Sequence, residues 1–140
     1  MADRTLNISI VTPRETAFEG KGLAVSLPGA QSPFQVLFNH APIISSLEPG
    51  MIKIEDENNH HLVFAAREGF VEVLKNNVNI IVQELVPASD IDLAKAEAEY
   101  DEAHAASSTG SDHSARSAAR DVATWAATRA RAARAHREGA

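Results

Sequence analysis

Val36-Leu37-Phe38-Asn39-His40-Ala41-Pro42-Ile43-Ile44-Ser45-Ser46-Leu47-Glu48-Pro49-Gly50-Met51-Ile52-Lys53-Ile54 decides how the chain is read, because short apolar runs in it are separated by residues that reverse the backbone. The spacing predicts strand, turn, strand, turn, strand. Asn39 tolerates a left-handed backbone, Pro42 removes a ladder donor, and Pro49-Gly50 suits the central positions of a type II turn. Beyond Gly50, Ile52 and Ile54 alternate with Lys53 and Glu55, as on a strand with one buried face. The same period of two recurs at Leu6, Ile8 and Ile10, at Leu23, Val25 and Leu27, and at Phe34, Val36 and Phe38. It returns at Leu62, Phe64 and Ala66, at Val71 and Val73, and at Val78, Ile80 and Val82. Asn58-Asn59 and Asn76-Asn77 sit between such runs as hairpin turns. Eight or more short strands imply a β-sandwich or barrel. Leu37, Val63, Ile81 and Val11 are apolar where an outer face would be polar; either they pack at edges and under loops, or one outer face docks onto another protein.

Composition then divides the chain. Of its 140 residues, all six prolines and all five phenylalanines lie at or before Pro87, and alanine dominates afterwards. Residues 1–87 carry ten acidic and six basic side chains, 88–110 carry six and one, and 111–140 carry three and six, so the last segment alone is positive. The expected organisation is an all-β N-terminal sandwich or barrel over 1–87 and a C-terminal α-helical hairpin over 88–140. Ser89-Asp90-Ile91-Asp92 has the form of a capping box, predicting a first helix from there to about Ala106. Ser107 to Gly110 ends it, and Ser111 can cap a second helix whose apolar positions are Ala115, Ala118, Val122, Trp125, Ala126 and Ala132. The apolar faces are mostly alanine, and one buried methyl is worth roughly 0.8 kcal/mol, so contacts within the hairpin are expected to be weak. The first helix is acidic and the second carries Arg116, Arg120, Arg129, Arg131, Arg134 and Arg137; exposed pairs between them are worth about 0–1 kcal/mol each.

Several function classes fall away. There is no cysteine, so neither a disulfide framework nor a cysteine metal site is available. No His-x-x-x-His or His-Glu-x-x-His spacing exists, and adjacent His60 and His61 point to opposite strand faces. Neither a nucleophile elbow nor a phosphate-binding glycine loop is present. A net charge of -6 argues against nucleic acid, as does a positive stretch without interleaved aromatics. No apolar run reaches membrane-spanning length and no signal-peptide core precedes Thr5, so a soluble or peripheral protein is expected.

His40-Ala41-Pro42, followed by Leu47-Glu48-Pro49-Gly50-Met51-Ile52-Lys53-Ile54, resembles the H-A-P-L and L-x-P-G-x-I-x-I run of the epsilon subunit of bacterial F-type ATP synthases. Gly69-Phe70-Val71-Glu72-Val73 and Asn77-Val78-Asn79-Ile80 are similar to that family's G-G-x-x-E-V and N-x-V-x-(I/V) segments. The resemblance covers nearly the whole chain. It implies a non-catalytic central-stalk rotor subunit at the cytoplasmic face of the bacterial plasma membrane. The sandwich would couple the gamma subunit to the c-ring through loops at its lower end, Gly29, Ala30, Gln31 and Ser32 together with Asn39, His40 and Ala41. The hairpin would inhibit ATP hydrolysis by carrying Arg116, Arg120, Arg129, Arg131 and Arg134 to the catalytic beta and alpha subunits. No cofactor is implied beyond a weak ATP contact at Ile91, Asp92 and Lys95, where the family's (I/L)-D-x-x-R-A motif has Lys95 in place of arginine. Lysine keeps the charge but loses the planar fork that holds phosphate. The chain departs from the family at Gln35, where glycine is usual, and at Phe38-Asn39, which replaces Pro-Gly. On the residues alone, two rivals stand: a free-standing β-sandwich interaction module with a helical oligomerisation tail, and a small metal-dependent enzyme.

Overall fold

Alternating apolar residues become strands wherever one face can be buried, and the computed structural model, which describes residues 4–139, contains ten of them. They are β1 (Leu6–Val11), β2 (Thr16–Gly22), β3 (Ala24–Leu27), β4 (Phe34–Leu37), β5 (Ile43–Leu47), β6 (Gly50–Glu55), β7 (His61–Ala66), β8 (Gly69–Leu74), β9 (Asn77–Val82) and β10 (Leu85–Pro87). A 3-10 turn at Ala88–Asp90 leads to helices α1 (Leu93–Thr109) and α2 (His113–Arg137). The first sheet has the order β2-β1-β9-β8-β5 and the second β10-β7-β6-β3-β4. β1 and β9 run parallel, so the start and end of the sandwich sequence are tied side by side.

The inner faces of the two sheets make the core: Leu6, Ile8, Ile10, Val71, Val73, Val78 and Ile80 from one, and Val25, Val36, Ile52, Ile54 and Phe64 from the other. Phe18 meets Phe64 edge to face, with ring centroids 5.7 Å apart. The fold class is therefore a sandwich followed by a helical hairpin. β2 and β10 lacked a readable alternation: β2 is an edge strand of sequence TAFEGKG, in which Phe18 is the only large apolar side chain, and β10 is three residues long.

Three turns differ from the sequence reading. Gly50 already belongs to β6 and does not have the positive φ of a type II turn. It is glycine because a Cβ there would lie 2.6 Å from Cβ of Pro28. The β8–β9 turn is Lys75-Asn76, not Asn76-Asn77, since Leu74 pairs with Asn77. Lys75 and Asn76 have φ of 51° and 65°, the two left-handed residues of a type I′ turn, whose twist matches the flanking strands. β4 ends at Leu37, and Phe38 enters the following turn. Asn39 does adopt the left-handed backbone, with φ of 65°, and Asn59 does so between β6 and β7 with φ of 63°.

The helix caps also shift. Ser89 lies in the 3-10 turn, and the N-cap of α1 is Asp92, whose Oδ1 accepts the Lys95 N–H at 3.2 Å. The helix continues past Ala106 to Thr109 because Ser107 and Thr109 return their hydroxyls to the carbonyls of His104 (2.6 Å) and Ala105 (3.0 Å). Asp112, rather than Ser111, caps α2, accepting the Ala115 N–H at 2.7 Å.

Candidate functional site

Two surfaces of the sandwich carry more apolar side chains than solvent-facing strands require, and they lie on opposite sides. The outer face of the second sheet presents Met51, Val63, Ala65 and Val86. Alanine-rich α2 lies over it and fills the layer with Trp125, Ala132 and Ala135, joined by Ala88 and Ile91 from the connection. This explains Val63: it packs neither at an edge nor under a loop but beneath the hairpin, and is 5% exposed. Trp125 is the largest side chain of the layer and is 6% exposed. An indole that buries about 200 Å² is worth roughly 5 kcal/mol by area, an upper bound several times the value of any alanine beside it.

Charges surround the indole. The Arg67 guanidinium stands 4.6 Å from the ring centroid of Trp125 and that of Arg129 5.7 Å. Arg67 Nε donates to Glu84 Oε1 at 3.1 Å, and Arg129 donates to Glu99 Oε2 at 2.5 Å. Glu84, Arg67, Trp125, Arg129 and Glu99 thus form one continuous line from the sandwich through α2 to α1. Arg134 pairs with Glu97 at 3.1 Å, so antiparallel packing does bring the two helices' opposite charges together. One group is left unsatisfied: among the described residues, Arg129 Nε is buried without an acceptor, a condition that costs about 1–3 kcal/mol. The docked hairpin therefore combines one large apolar anchor with a local penalty.

The arginines singled out in the sequence have different settings. Arg129 and Arg134 are committed to α1, and Arg116 donates to the Gly110 carbonyl at 3.1 Å. Arg120 is exposed, and Arg131 lines an open groove of about 660 Å³ with Lys53, Phe34 and Glu48. Ala115, Ala118 and Val122, read as part of one apolar face with Trp125, are instead exposed; only Trp125, Ala126 and Ala132 of that set are buried. The candidate nucleotide residues are occupied locally: Asp92 caps α1 through the Lys95 amide, Ile91 packs in the layer beneath α2, and the Lys95 side chain is exposed.

On the other side, the outer face of the first sheet is bare. Strand register places Ser46, Phe70, Ile81 and Val11 in one row across β5, β8, β9 and β1. The next row is Ile44, Glu72, Asn79 and Ser9, and a third holds Leu74, Asn77 and Asn7. Ile44 is 75% exposed, Phe70 50%, Leu74 46% and Ile81 43%. Across these four strands Glu72 is the one charged residue, and the rows end on edge strand β2 at Thr16, Glu19 and Lys21. Periodicity had pointed to Ile81 and Val11; Ile44, Phe70 and Leu74 were missed because each was counted only by the core-facing neighbours of its strand.

The two loops assigned to one lower end do not share it. Gly29–Ser32 precedes β4 and lies against the end of β5 and the β5–β6 turn, with the Ala30 N–H donating to the Ser46 carbonyl at 2.9 Å. Asn39–Ala41 follows β4 and lies beside the β8–β9 turn, where the Asn39 N–H donates to Asn76 Oδ1 at 2.6 Å. The length of β4, roughly 13 Å for four residues, separates them. Ala30, Gln31 and Ser32 are exposed, as are Asn39 and Ala41, with His40 half-buried.

The architecture is that of a β-sandwich with one outer face covered by a C-terminal helical hairpin and an apolar, exposed outer face on the opposite sheet. Comparison with known proteins gives the family. Residues 5–88 match the ATP synthase, Delta/Epsilon chain, beta-sandwich domain family. The ATP synthase epsilon chain of Salinibacter ruber is 37% identical over 105 residues, covering 69% of this chain and 70% of that one. That of Desulfosudis oleivorans is 37% identical over 94 residues, covering 66% and 70%. The chain belongs to the epsilon-chain family of bacterial F-type ATP synthases. Its fold matches a chain of the Euglena gracilis mitochondrial ATP synthase OSCP/F1/c-ring structure, with a TM-score of 0.80, 21% identity, and coverage of 89% of this chain and 78% of that one. A chain of the Tetrahymena thermophila mitochondrial ATP synthase central stalk and c-ring matches with a TM-score of 0.60, 17% identity, and coverage of 95% and 99%. Among the described residues no helix is long and apolar enough to cross a membrane.

Proposed function

We propose that the chain is a non-catalytic rotor subunit of a proton-transporting ATP synthase on the cytoplasmic face of a bacterial plasma membrane, in which residues 1–87 form a rigid head and 88–140 a movable arm. The observation that carries the reading is the uncovered apolar face of Ile44, Phe70, Leu74 and Ile81 on the side of the sandwich away from the hairpin. An exposed patch of this kind, with Glu72 as its one charge across β5, β8, β9 and β1 and Glu19 and Lys21 at its β2 edge, is a docking surface, and the gamma subunit is its occupant. Of the two loops, the exposed and uncharged Ala30, Gln31 and Ser32 contact the c-ring; Asn39, His40 and Ala41, at the opposite end of β4, do not share that contact. The arm acts as a brake on ATP hydrolysis when Arg120, Arg131 and the arginines released from Glu97 and Glu99 engage acidic surface on the beta and alpha subunits. Asp92 serves as a helix cap, and no nucleotide is part of the proposal.

Reconstitution with the remaining subunits tests both halves. Phe70→Glu buries a charge at the interface and is expected to weaken capture by gamma more than tenfold, as for a hot-spot aromatic. Deleting 88–140 is expected to raise ATP hydrolysis by the assembled enzyme. Unchanged gamma binding by the first variant refutes the docking face, and unchanged hydrolysis by the second refutes the brake.

A further inference from the structure

The line from Glu84 to Glu99 passes from head to arm at one step, the contact of Arg67 with Trp125. Arg67 belongs to the head, following β7, and its backbone N–H is held by the Glu84 carbonyl at 3.0 Å while its Nε is held by the Glu84 carboxylate at 3.1 Å. With the hairpin packed on the head, Glu84 thus orients the guanidinium over the indole. A guanidinium fixed above an aromatic face gains electrostatic attraction that grows as water is removed, and Trp125 is almost wholly buried there. The other α2 members of the layer, Ala132 and Ala135, are alanines with small contact areas; they meet Met51, Val63, Ala65 and Val86 of the head, with Ala88 and Ile91 from the connection. Among the described α2 residues of this layer, Trp125 is the one aromatic side chain and the one with guanidinium groups over its ring.

We propose that Arg67, held by Glu84, and Trp125 form a latch that sets the ratio of docked to released arm, a role that rests on the reading of 88–140 as movable. The latch is a head-to-arm contact separate from the arginine pairs within the hairpin. Release exposes the indole, so the partner surface that captures the released arm must bury Trp125 again or forfeit that area. Arg129, paired with Glu99, keeps the second guanidinium near the ring and fixes the rotation of α2 relative to α1.

The chain has no cysteine, which makes thiol labelling a direct probe of release. Ala65 lies under the hairpin on the outer face of β7 and is fully buried, so Ala65→Cys reacts when the arm lifts; Val78→Cys, in the sandwich core, reacts only when the head opens. In the isolated chain, Arg67→Gln is expected to speed labelling at position 65 on the order of fivefold, and Glu84→Gln about twofold, with labelling at 78 unchanged. Trp125→Phe, which keeps an aromatic ring but shrinks it, is expected to speed labelling at 65 more than tenfold. The latch is overturned if Arg67→Gln leaves the rate at 65 unaltered, if it speeds both positions equally, or if Ala65→Cys in the otherwise unchanged chain reacts as fast as an exposed thiol. The assay contains no other subunit and reads no hydrolysis, so its failure and that of the brake are separate results.

Discussion

The head and the arm are built from different side chains, and the difference sets how each part behaves. The head's core is Leu, Ile, Val and Phe from two facing sheets, closed by a parallel pairing between β1 and β9 that joins residues about seventy positions apart. Among the described residues, the arm's buried positions are almost all alanine, with Trp125 and Thr128 as the exceptions. A large aliphatic side chain contributes roughly 1.5–3 kcal/mol on burial and a methyl about 0.8. High helix propensity lets alanine hold α1 and α2 in shape without holding them in place. On the proposed reading of 88–140 as a movable arm, helical structure and attachment to the head are separate properties there, whereas in the head folding and packing are one event.

Perturbing each part should keep that distinction, and the largest contrast comes from the head. Ile54→Ala empties a fully buried site and is expected to cost about 3 kcal/mol, lowering the denaturant midpoint of the whole chain. Comparable loss of α1 and α2 signal without loss of sheet signal would break the comparison. Removing the α2 cap, Asp112→Ala, is expected to cost about 1 kcal/mol, visible as fraying of the first turn of α2 by amide exchange while the head's unfolding midpoint stays where it was. The smallest effect concerns a head turn. The backbone N–H of His60 bonds the Asp56 carboxylate and, with the N–H of Asn58 and the nearby His60 and His61 rings, holds it below its ordinary value near 3.8, against a smaller opposing effect of burial. Because the folded value is the lower one, the contribution is present above about pH 3.8 and is lost as pH falls through the folded value. Carboxyl NMR should place the titration below 3.8, and Asp56→Asn should flatten the acid limb of the head's stability without altering arm release.

How far the residues alone carried this account follows the same division. Strands with two clear faces, such as Leu6–Val11 and Asn77–Val82, are legible because burial on one side imposes period two. β2 is not, because an edge strand with Gly20, Gly22 and Lys21 has no such constraint. Turn positions slipped by one residue at Lys75-Asn76, since register is fixed by cross-strand pairs rather than by which asparagine is present. In the arm, periodicity revealed an apolar helix face but not what it covers. Trp125 could be assigned to the head only once Val63 and Ala65 were seen to point outward beneath it. The bare face was half legible: Ile81 stood out as a second apolar residue beside a core position, whereas Phe70 and Ile44 became neighbours only through the register of β5, β8 and β9.

Native-state hydrogen exchange on the intact isolated chain tests the separation of head and arm most directly, using the amides of α1 and α2 against the amides of β1, β7, β8 and β9. Two levels of opening are expected, with the helices exchanging at a free energy well below that of the sheets and Trp125→Phe lowering the first level alone. A single shared level for helices and sheets, moved as one by that substitution, would contradict it.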